Sequence, residues 1–285
     1  MEPRAAEVQA RLATVGSFGE LVGAMQGVAA ARAEHARRLI AGTNAYALAV
    51  AEAMGQALAL LPHDAASSRL REGRRPLWVL FCAEQAFNGG LSERVFAAAP
   101  QARGARVLLL GAQGLRLAPT EGVVPEWSGP LIAHADNVVA ASDRLQTALA
   151  QALAREPARS VELVYSQVGQ GNQFEVVIHR LLPMELETLR RTTEARPVVH
   201  LTPQRLLDDL VDEYVSAKLT QALLHSHAAE NLSRLQAMAS ARDNVVHMAN
   251  ALAADARRLR QEAITEEIVE LVAGLHALNR ETHHR

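Results

Sequence analysis

Residues Phe81 to Phe96, FCAEQAFNGGLSERVF, put two glycines between the end of an apolar run and the start of a helix-like stretch. Strand, glycine turn, helix is the order in which an open α/β sheet cradles a phosphate, with backbone N–H groups and a helix N-terminus as the anion site. The chemistry needs more than the order. A dinucleotide fold calls for G-x-G-x-x-G and a P-loop for G-x-x-x-x-G-K-[ST]. Gly89-Gly90 satisfies neither, and Lys218 is the only lysine in the chain. GAQG at Gly111 to Gly114 also follows an apolar run and also lacks the pattern. Taken alone, Gly89 and Gly90 read as a tight turn that needs the backbone freedom of glycine.

Other candidate chemistry is thinner. Of the histidines, His225 and His227 are two apart, a spacing that does not share a helix face, and His283-His284 sits in the last turn before Arg285, a frayed end. Neither pair has metal-ligand spacing on a helix, so no metal and no cofactor is expected. Cys82 is the single cysteine, next to Leu77-Trp-Val-Leu-Phe81, which suits a buried small hydrophobe and excludes a disulfide within the chain. Glu262, Glu266 and Glu267 read as a solvated helical face. Arg257, Arg258 and Arg260, with Gln261 beside them, form a local basic cluster that is either solubilising charge or a docking point for acidic loops. No catalytic set of Ser-His-Asp or Cys-His type is legible.

The elements that must position these residues are set by proline. Apart from Pro3, no proline occurs before Pro62 or after Pro203, whereas the middle of the chain is dotted with them. Proline interrupts helices, so two long helices flanking a compact domain are expected: residues 1–62, an α/β domain over 74–200, and residues 203–285. Thr202-Pro203 is a helix start, with threonine as N-cap and proline at the first position. Leu235, Met238, Arg242, Val245, Ala249, Leu252, Ala256 and Leu259 are spaced alternately three and four apart, a heptad seam broken once by Arg242. From Pro203 to Leu278 such a helix would run on the order of 110 Å at 1.5 Å per residue, which no globular core requires. The N-terminal segment carries Gly16, Gly19, Gly23 and Gly27, each costing a helix about 1 kcal/mol. The expectation is a small-residue packing stripe that lets another backbone approach, in an antiparallel coiled coil of the two ends.

In the middle, Leu77 to Phe81 and Arg106 to Leu110 are continuous apolar runs of the kind buried on both faces of a parallel sheet. Val161 to Tyr165 and Phe174 to Ile178 alternate more, and Asn137 to Ala154 is helical in pattern. The fold class is therefore α/β, a Rossmann-like, mostly parallel sheet inserted between two long helices of an antiparallel coiled coil. With 49% hydrophobic residues but only 4% aromatic, and a net charge of −2, alanine-rich slim packing is favoured and a nucleic-acid field is excluded. No run of 18 apolar residues spans a membrane, and the first 20 residues lack a signal-peptide core; a soluble protein of a reducing compartment is expected.

Several stretches together resemble one family, the gamma subunit of F-type ATP synthase. GAMQGVAAAR (Gly23 to Arg32) is similar to its K-A-M-x-M-V-A-A-A-K stretch, and AEQAFNGGLS (Ala83 to Ser92) to S-D-R-G-L-C-G-G-L-N. SRLQAMASARDNV (Ser233 to Val245) resembles R-M-x-A-M-x-x-A-x-x-N-A. RQEAITEEIVELVAGLHAL (Arg260 to Leu278) is the most specific, matching at Arg260, Gln261, Ile264, Thr265, Glu267, Ile268, Glu270, Gly274, Ala277 and Leu278. The resemblance is to a divergent member: Glu84, Gln85, Ala86 and Phe87 stand where the family has Asp, Arg or Lys, Gly and Leu.

The resemblance implies a central-stalk rotor that couples ion flow through a membrane c-ring to ATP synthesis or hydrolysis in a ring of three alpha and three beta subunits. The chain would have no catalytic site of its own. Its partners would be alpha, beta, epsilon and the c-ring, without nucleic acid. It would lie peripherally at the cytoplasmic face of a bacterial plasma membrane. Arg260 and Gln261 would meet a beta catch loop; Arg234, Arg242 and Asn244 would face the alpha-beta sleeve; Gly89-Gly90 would be a turn of the foot domain near other rotor subunits. A free-standing coiled-coil scaffold with an α/β head is the alternative, and it predicts self-association through the Leu235 to Leu259 seam.

Overall fold

The computed structural model describes residues 2–61, 73, 75–184 and 200–282. The expected domain boundaries at 62 and 74 and the His283-His284 pair lie outside them. Helix α1 spans Glu2–Ala59, followed by β1 (Leu77–Phe81), α2 (Leu91–Ala98), β2 (Arg106–Leu110), α3 (Ala112–Leu117), β3 (Trp127–Gly129), α4 (Val138–Arg155), β4 (Val161–Val168), β5 (Phe174–Leu182) and α5 (Pro203–Thr282). Helix α5 begins at the proline that the sequence marks as its start. Two compact units can be distinguished, one of Val28–Ala237 and one of Met1–Gly27 with Met238–Arg285; α1 and α5 contribute to both.

The larger unit is built on one sheet of order β3-β2-β1-β4-β5. Strands β1, β2, β3 and β4 are parallel, with Leu77 to Phe81 opposite Arg106 to Leu110 and Leu77 to Leu80 opposite Val161 to Val164. Strand β5 is antiparallel to β4, Val168 facing Phe174 across a short hairpin. A connection that short permits nothing else, since a parallel return needs a crossover of a dozen residues or more. Strands β1 and β2 are buried at every residue because both sheet faces are covered. Leu77, Val79 and Phe81 point to a layer containing α4 and the inner stretches of α1 and α5, including Ala36, Ile40, Leu145, Leu219 and Leu223. Trp78, Leu80 and Cys82 point the other way, against Val95 and Phe96 of α2. The alternation of β-strand side chains thus places the long helices on one face and the short ones on the other.

Within this unit α1 and α5 run antiparallel. Gln221 donates to Asn44 Oδ1 at 2.7 Å and Tyr46 bonds Glu213, so numbers fall on α5 as they rise on α1. Arg106 closes the end of α4 opposite the sheet's carboxyl edge. It pairs with Glu126 at 2.7 Å and donates to the Ala152 carbonyl, which also accepts the Glu156 N–H, and to the Glu156 carbonyl just past the helix end.

In the smaller unit the seam on α5 is the covered face: from Met238, which is buried, to Leu259 each heptad position is at least half-buried except the exposed Arg242. Helix α1 carries its own seam, Ala5, Val8, Leu12, Val15, Gly19, Val22 and Gln26 in this unit and Ala29, Ala33, Ala36 and Ile40 in the larger one, three and four apart along the sequence and covered at each residue. The glycines follow a different line. A Cβ added to Gly19 would meet Val245 Cγ1 at 3.0 Å, but one added to Gly16, Gly23 or Gly27 meets nothing within 4 Å. The expected four-glycine packing stripe is corrected accordingly: only Gly19 lies on the seam against α5, and the close packing comes from alanine and valine.

Candidate functional site

In an open α/β sheet, ligands bind outside the carboxyl ends of the strands, where the strand order reverses. Here the order reverses at β1, between β2 and β4. The loop that follows β1, Glu84 to Gly90, therefore occupies the place where a nucleotide would be held.

The turn has the backbone such a site uses. Phe87, Gly89 and Gly90 all have positive φ, at 58°, 58° and 75°. Gly90 caps α2 in the left-handed region, and Asn88 Oδ1 accepts the Leu91 N–H at 3.1 Å while its Nδ2 donates to Gln85 O at 2.8 Å. Both glycines need their φ, and a Cβ on Gly89 would also sit 2.9 Å from Ser233 Oγ on α5.

The anion position is filled by the chain itself. The Glu84 and Gln85 N–H groups donate to the two carboxylate oxygens of Glu230 on α5, at 3.0 and 2.9 Å. Consecutive N–H groups of this kind form an anion-binding concavity, and here the anion is a side chain. Glu230 also pairs with Arg234, one helical turn on, at 2.6 Å, the side chains being 3% and 6% exposed. Arg234 Nη1 reaches Asn231 Oδ1 at 3.1 Å and Nε reaches Ala86 O at 3.4 Å. Ser233 Oγ donates to Asn88 O at 2.6 Å and accepts from Arg94 Nη2 at 3.2 Å; the Arg94 guanidinium in turn lies 4.8 Å above the Phe174 ring. A second turn is filled in the same manner. The Glu84 carboxylate accepts the Leu131 N–H at 2.8 Å and the Ala112 N–H, at the start of α3, at 3.3 Å. In the GAQG turn a Cβ on Gly111 would stand 2.3 Å from Cys82 O and one on Gly114 2.3 Å from Cys82 Cβ, so both glycines serve close packing.

From Ala222 to Arg234 every residue of α5 is buried, and His225, Ser226, His227, Glu230, Asn231, Ser233 and Arg234 are the polar ones. His225 Nδ1 accepts the Val168 N–H at 3.2 Å, at the end of β4. Burial lowers its pKa to about 4. Burial lowers the pKa of His227 likewise to about 4, against a bond to Ile132 that raises it, and Arg32, Arg234 and His134 add to the lowering. Both are neutral at ordinary pH. Cys82 is buried, which pushes its thiol far above the usual range and makes it the inert hydrophobe expected of it. Among the described residues no group of His, Cys, Asp or Glu has the arrangement to hold a metal ion.

The residues expected to meet partners separate into two sets. Arg234, expected on the sleeve-facing surface, is instead buried, because its guanidinium is the counter-charge to Glu230. Arg242, Asn244, Arg260 and Gln261 are exposed. Past Leu259 the seam pattern ends and every described residue from Arg260 to Ala273 is exposed, including Ile264, Ile268, Val269, Leu271 and Val272 at 48–64%. Sequence reasoning passed over Glu230, Glu84 and Ser233. The signal available was a Glu-Arg pair four apart within a helix stretch otherwise rich in Ala and Leu, where a charge is retained only if it is paired.

The ATP synthase family model matches residues 4–278. The chain belongs to the ATP synthase family. Its relatives include the ATP synthase gamma chain of Parafrankia sp. (strain EAN1pec), 28% identical over 95% of this chain and 97% of that one. The ATP synthase gamma chain of Moorella thermoacetica is 26% identical over 95% and 98%. Among solved structures, a chain from the rotor of the Euglena gracilis mitochondrial ATP synthase in rotational state 1 superimposes with a TM-score of 0.65, at 11% identity, over 93% of this chain and 100% of that one. A chain from the central stalk and c-ring structure of the Tetrahymena thermophila enzyme gives 0.57 at 18% identity, over 78% and 99%. These structural likenesses are of fold, a sheet domain between long N- and C-terminal helices. Among the described residues no helix is long and apolar enough to cross a membrane.

Proposed function

We infer that this chain is the central-stalk rotor of an F-type ATP synthase. It couples ion flow through the membrane c-ring to ATP synthesis or hydrolysis in the alpha-beta ring by rotation. The reading is carried by the match to an ATP synthase family over residues 4–278, joined to one feature: the helix stretch Arg260–Ala273, exposed along its whole length with its large apolar side chains among its charges. A helix that presents Ile264, Ile268 and Leu271 to water is poised for a partner. The alpha-beta sleeve supplies one. Arg260 and Gln261 would meet a beta loop at the start of this stretch, and Arg242 and Asn244 would face the same sleeve. Epsilon and the c-ring meet the α/β domain, residues 74–200, while residues 1–62 and 203–285 form the coiled coil.

The chain is a non-catalytic subunit. The observation supporting this is the carboxyl edge of its sheet, where Glu230 occupies the place an external anion would take. Rotation of one asymmetric body against three chemically identical beta sites biases each differently, which is a coupling free energy between shaft and nucleotide. The protein sits peripherally on the cytoplasmic face of a bacterial plasma membrane.

Co-expression with alpha and beta from the same genome tests the reading. The expected product is a complex of three alpha, three beta and one copy of this chain, with ATPase activity. A stable alpha-beta ring that excludes the chain, or self-association of the chain alone through its α5 seam, would contradict it.

A further inference from the structure

We propose that two loops at the carboxyl edge of the sheet lock α5 against rotation about its own axis, with Glu230 as the principal positioning residue, so that torque on the α/β unit reaches the helix. The proposal rests on the rotor reading above. Apolar packing alone does not provide such a lock. Hydrophobic contact is non-directional, so a helix held only by its seam can turn or slip by a ridge at modest cost. Charge-assisted hydrogen bonds with fixed geometry resist that motion.

The first grip is the β1–α2 loop. It holds Glu230 through two consecutive N–H groups, Ser233 through the Asn88 carbonyl, and Arg234 through the Ala86 carbonyl. These positions are three and four apart, one face of the helix. The second grip is the β4–β5 hairpin. Val168 N–H donates to His225, and Gln236 Nε2 donates to Asn172 O at 3.1 Å. Arg37 of α1 donates to Gly171 O, so the hairpin tip ties both long helices. His225 and Gln236 share a face three turns apart. At 3.6 residues per turn that face lies roughly 120° around the axis from the one holding Glu230, Ser233 and Arg234. Grips a third of a turn apart oppose rotation in either sense. Glu230 matters most because its two oxygens engage both loop N–H groups and Arg234 at once, and removing it opens an anion site lined by a guanidinium.

The experiment uses the complete ATP synthase in vesicles, carrying wild-type chain, Glu230→Ala, or Arg37→Gln with Gln236→Ala, and reads ions pumped per ATP hydrolysed. The lock predicts that hydrolysis by the ring persists while the pumping ratio falls about threefold or more, the scale of a change in coupling energy. Added acetate should restore part of the ratio in Glu230→Ala, where it can occupy the vacated site, and should leave the hairpin variant unchanged. Should Glu230→Ala fail to fold, the hairpin variant, whose Gln236 is exposed and Arg37 half-buried, decides alone. Assembled variants that pump at the wild-type ratio overturn the lock and leave the rotor reading standing. A wild-type chain that does not join the ring overturns both.

Discussion

Glu230→Ala should be among the most costly single substitutions in the free chain, and its effect should depend on Arg234. The change removes the counter-charge of a guanidinium whose side chain is 6% exposed and the acceptors of two loop N–H groups. Breaking a buried pair by deleting one partner costs about 3–5 kcal/mol. The Glu84 and Gln85 bonds are only part-buried, so water can replace some of the loss, and the lower end of about 1 kcal/mol per orphaned N–H applies. Because these terms share one network, about 4 kcal/mol in all is expected rather than their sum. Arg234→Met leaves Glu230 its two N–H donors, which hold an anion, and should cost about 3 kcal/mol. The double variant removes both charges, and the non-additivity should be about 2 kcal/mol. Urea denaturation of the full chain, followed by far-UV circular dichroism at neutral pH, measures all three. Single costs below about 1 kcal/mol, or strict additivity, would refute the idea that the carboxylate is held by the loop and the arginine together.

Acid should weaken the fold through His225 and His227. Their folded pKa values, about 4, lie below the unfolded value, so the unfolded chain binds more protons and stability falls as pH drops from about 6.5 towards 4. Each should contribute a slope of about 1.4 kcal/mol per pH unit there, and His225→Gln with His227→Gln should flatten the pH dependence of urea midpoints. Gly89→Ala should destabilise by about 2 kcal/mol or more, since φ is positive and the new Cβ meets Ser233; the matched Ser233→Ala background should recover part of the loss in the same assay. Gly16→Ala, Gly23→Ala and Gly27→Ala should each raise free-chain stability by up to about 1 kcal/mol, whereas Gly19→Ala should gain less because Val245 must give way. Arg260→Ala with Gln261→Ala should leave the free chain within about 0.5 kcal/mol of wild type, both being exposed, yet lower ATPase activity or torque in the assembled complex.

Much of the frame was legible because strong local signals agreed with the tertiary outcome. The apolar runs of β1 and β2 had to be buried on both faces, and Thr202-Pro203 opened α5. Helix α3 and strand β3 were not foreseen. Helix α3 contains Gly114 and begins beside Gly111, residues that weigh against a helix; it forms because only glycine allows its approach to Cys82. Strand β3 has three residues between Pro125 and Pro130, two part-buried and Ser128 exposed, too few for a period. The α1 seam was hidden by composition. Alanine stands on the seam at Ala5, Ala29, Ala33 and Ala36 and off it at Ala6, Ala10, Ala13 and Ala31, so apolar contrast vanishes and the spaced glycines drew attention instead. At the site, the glycine turn was visible, and both glycines take positive φ there. What fills it was not visible, since Glu230 lies well over a hundred residues away and only the fold brings it to the Glu84 and Gln85 N–H groups. Arg234 was singled out by resemblance, and its burial follows from the same long-range pairing.

The central claim, that this chain turns inside an alpha-beta ring, is tested most directly by watching it. With the ring fixed to a surface through beta and a bead attached to the α/β domain of this chain, ATP should drive unidirectional rotation with the threefold symmetry of the ring. Hydrolysis by an assembled ring with the bead showing only Brownian motion would contradict the account.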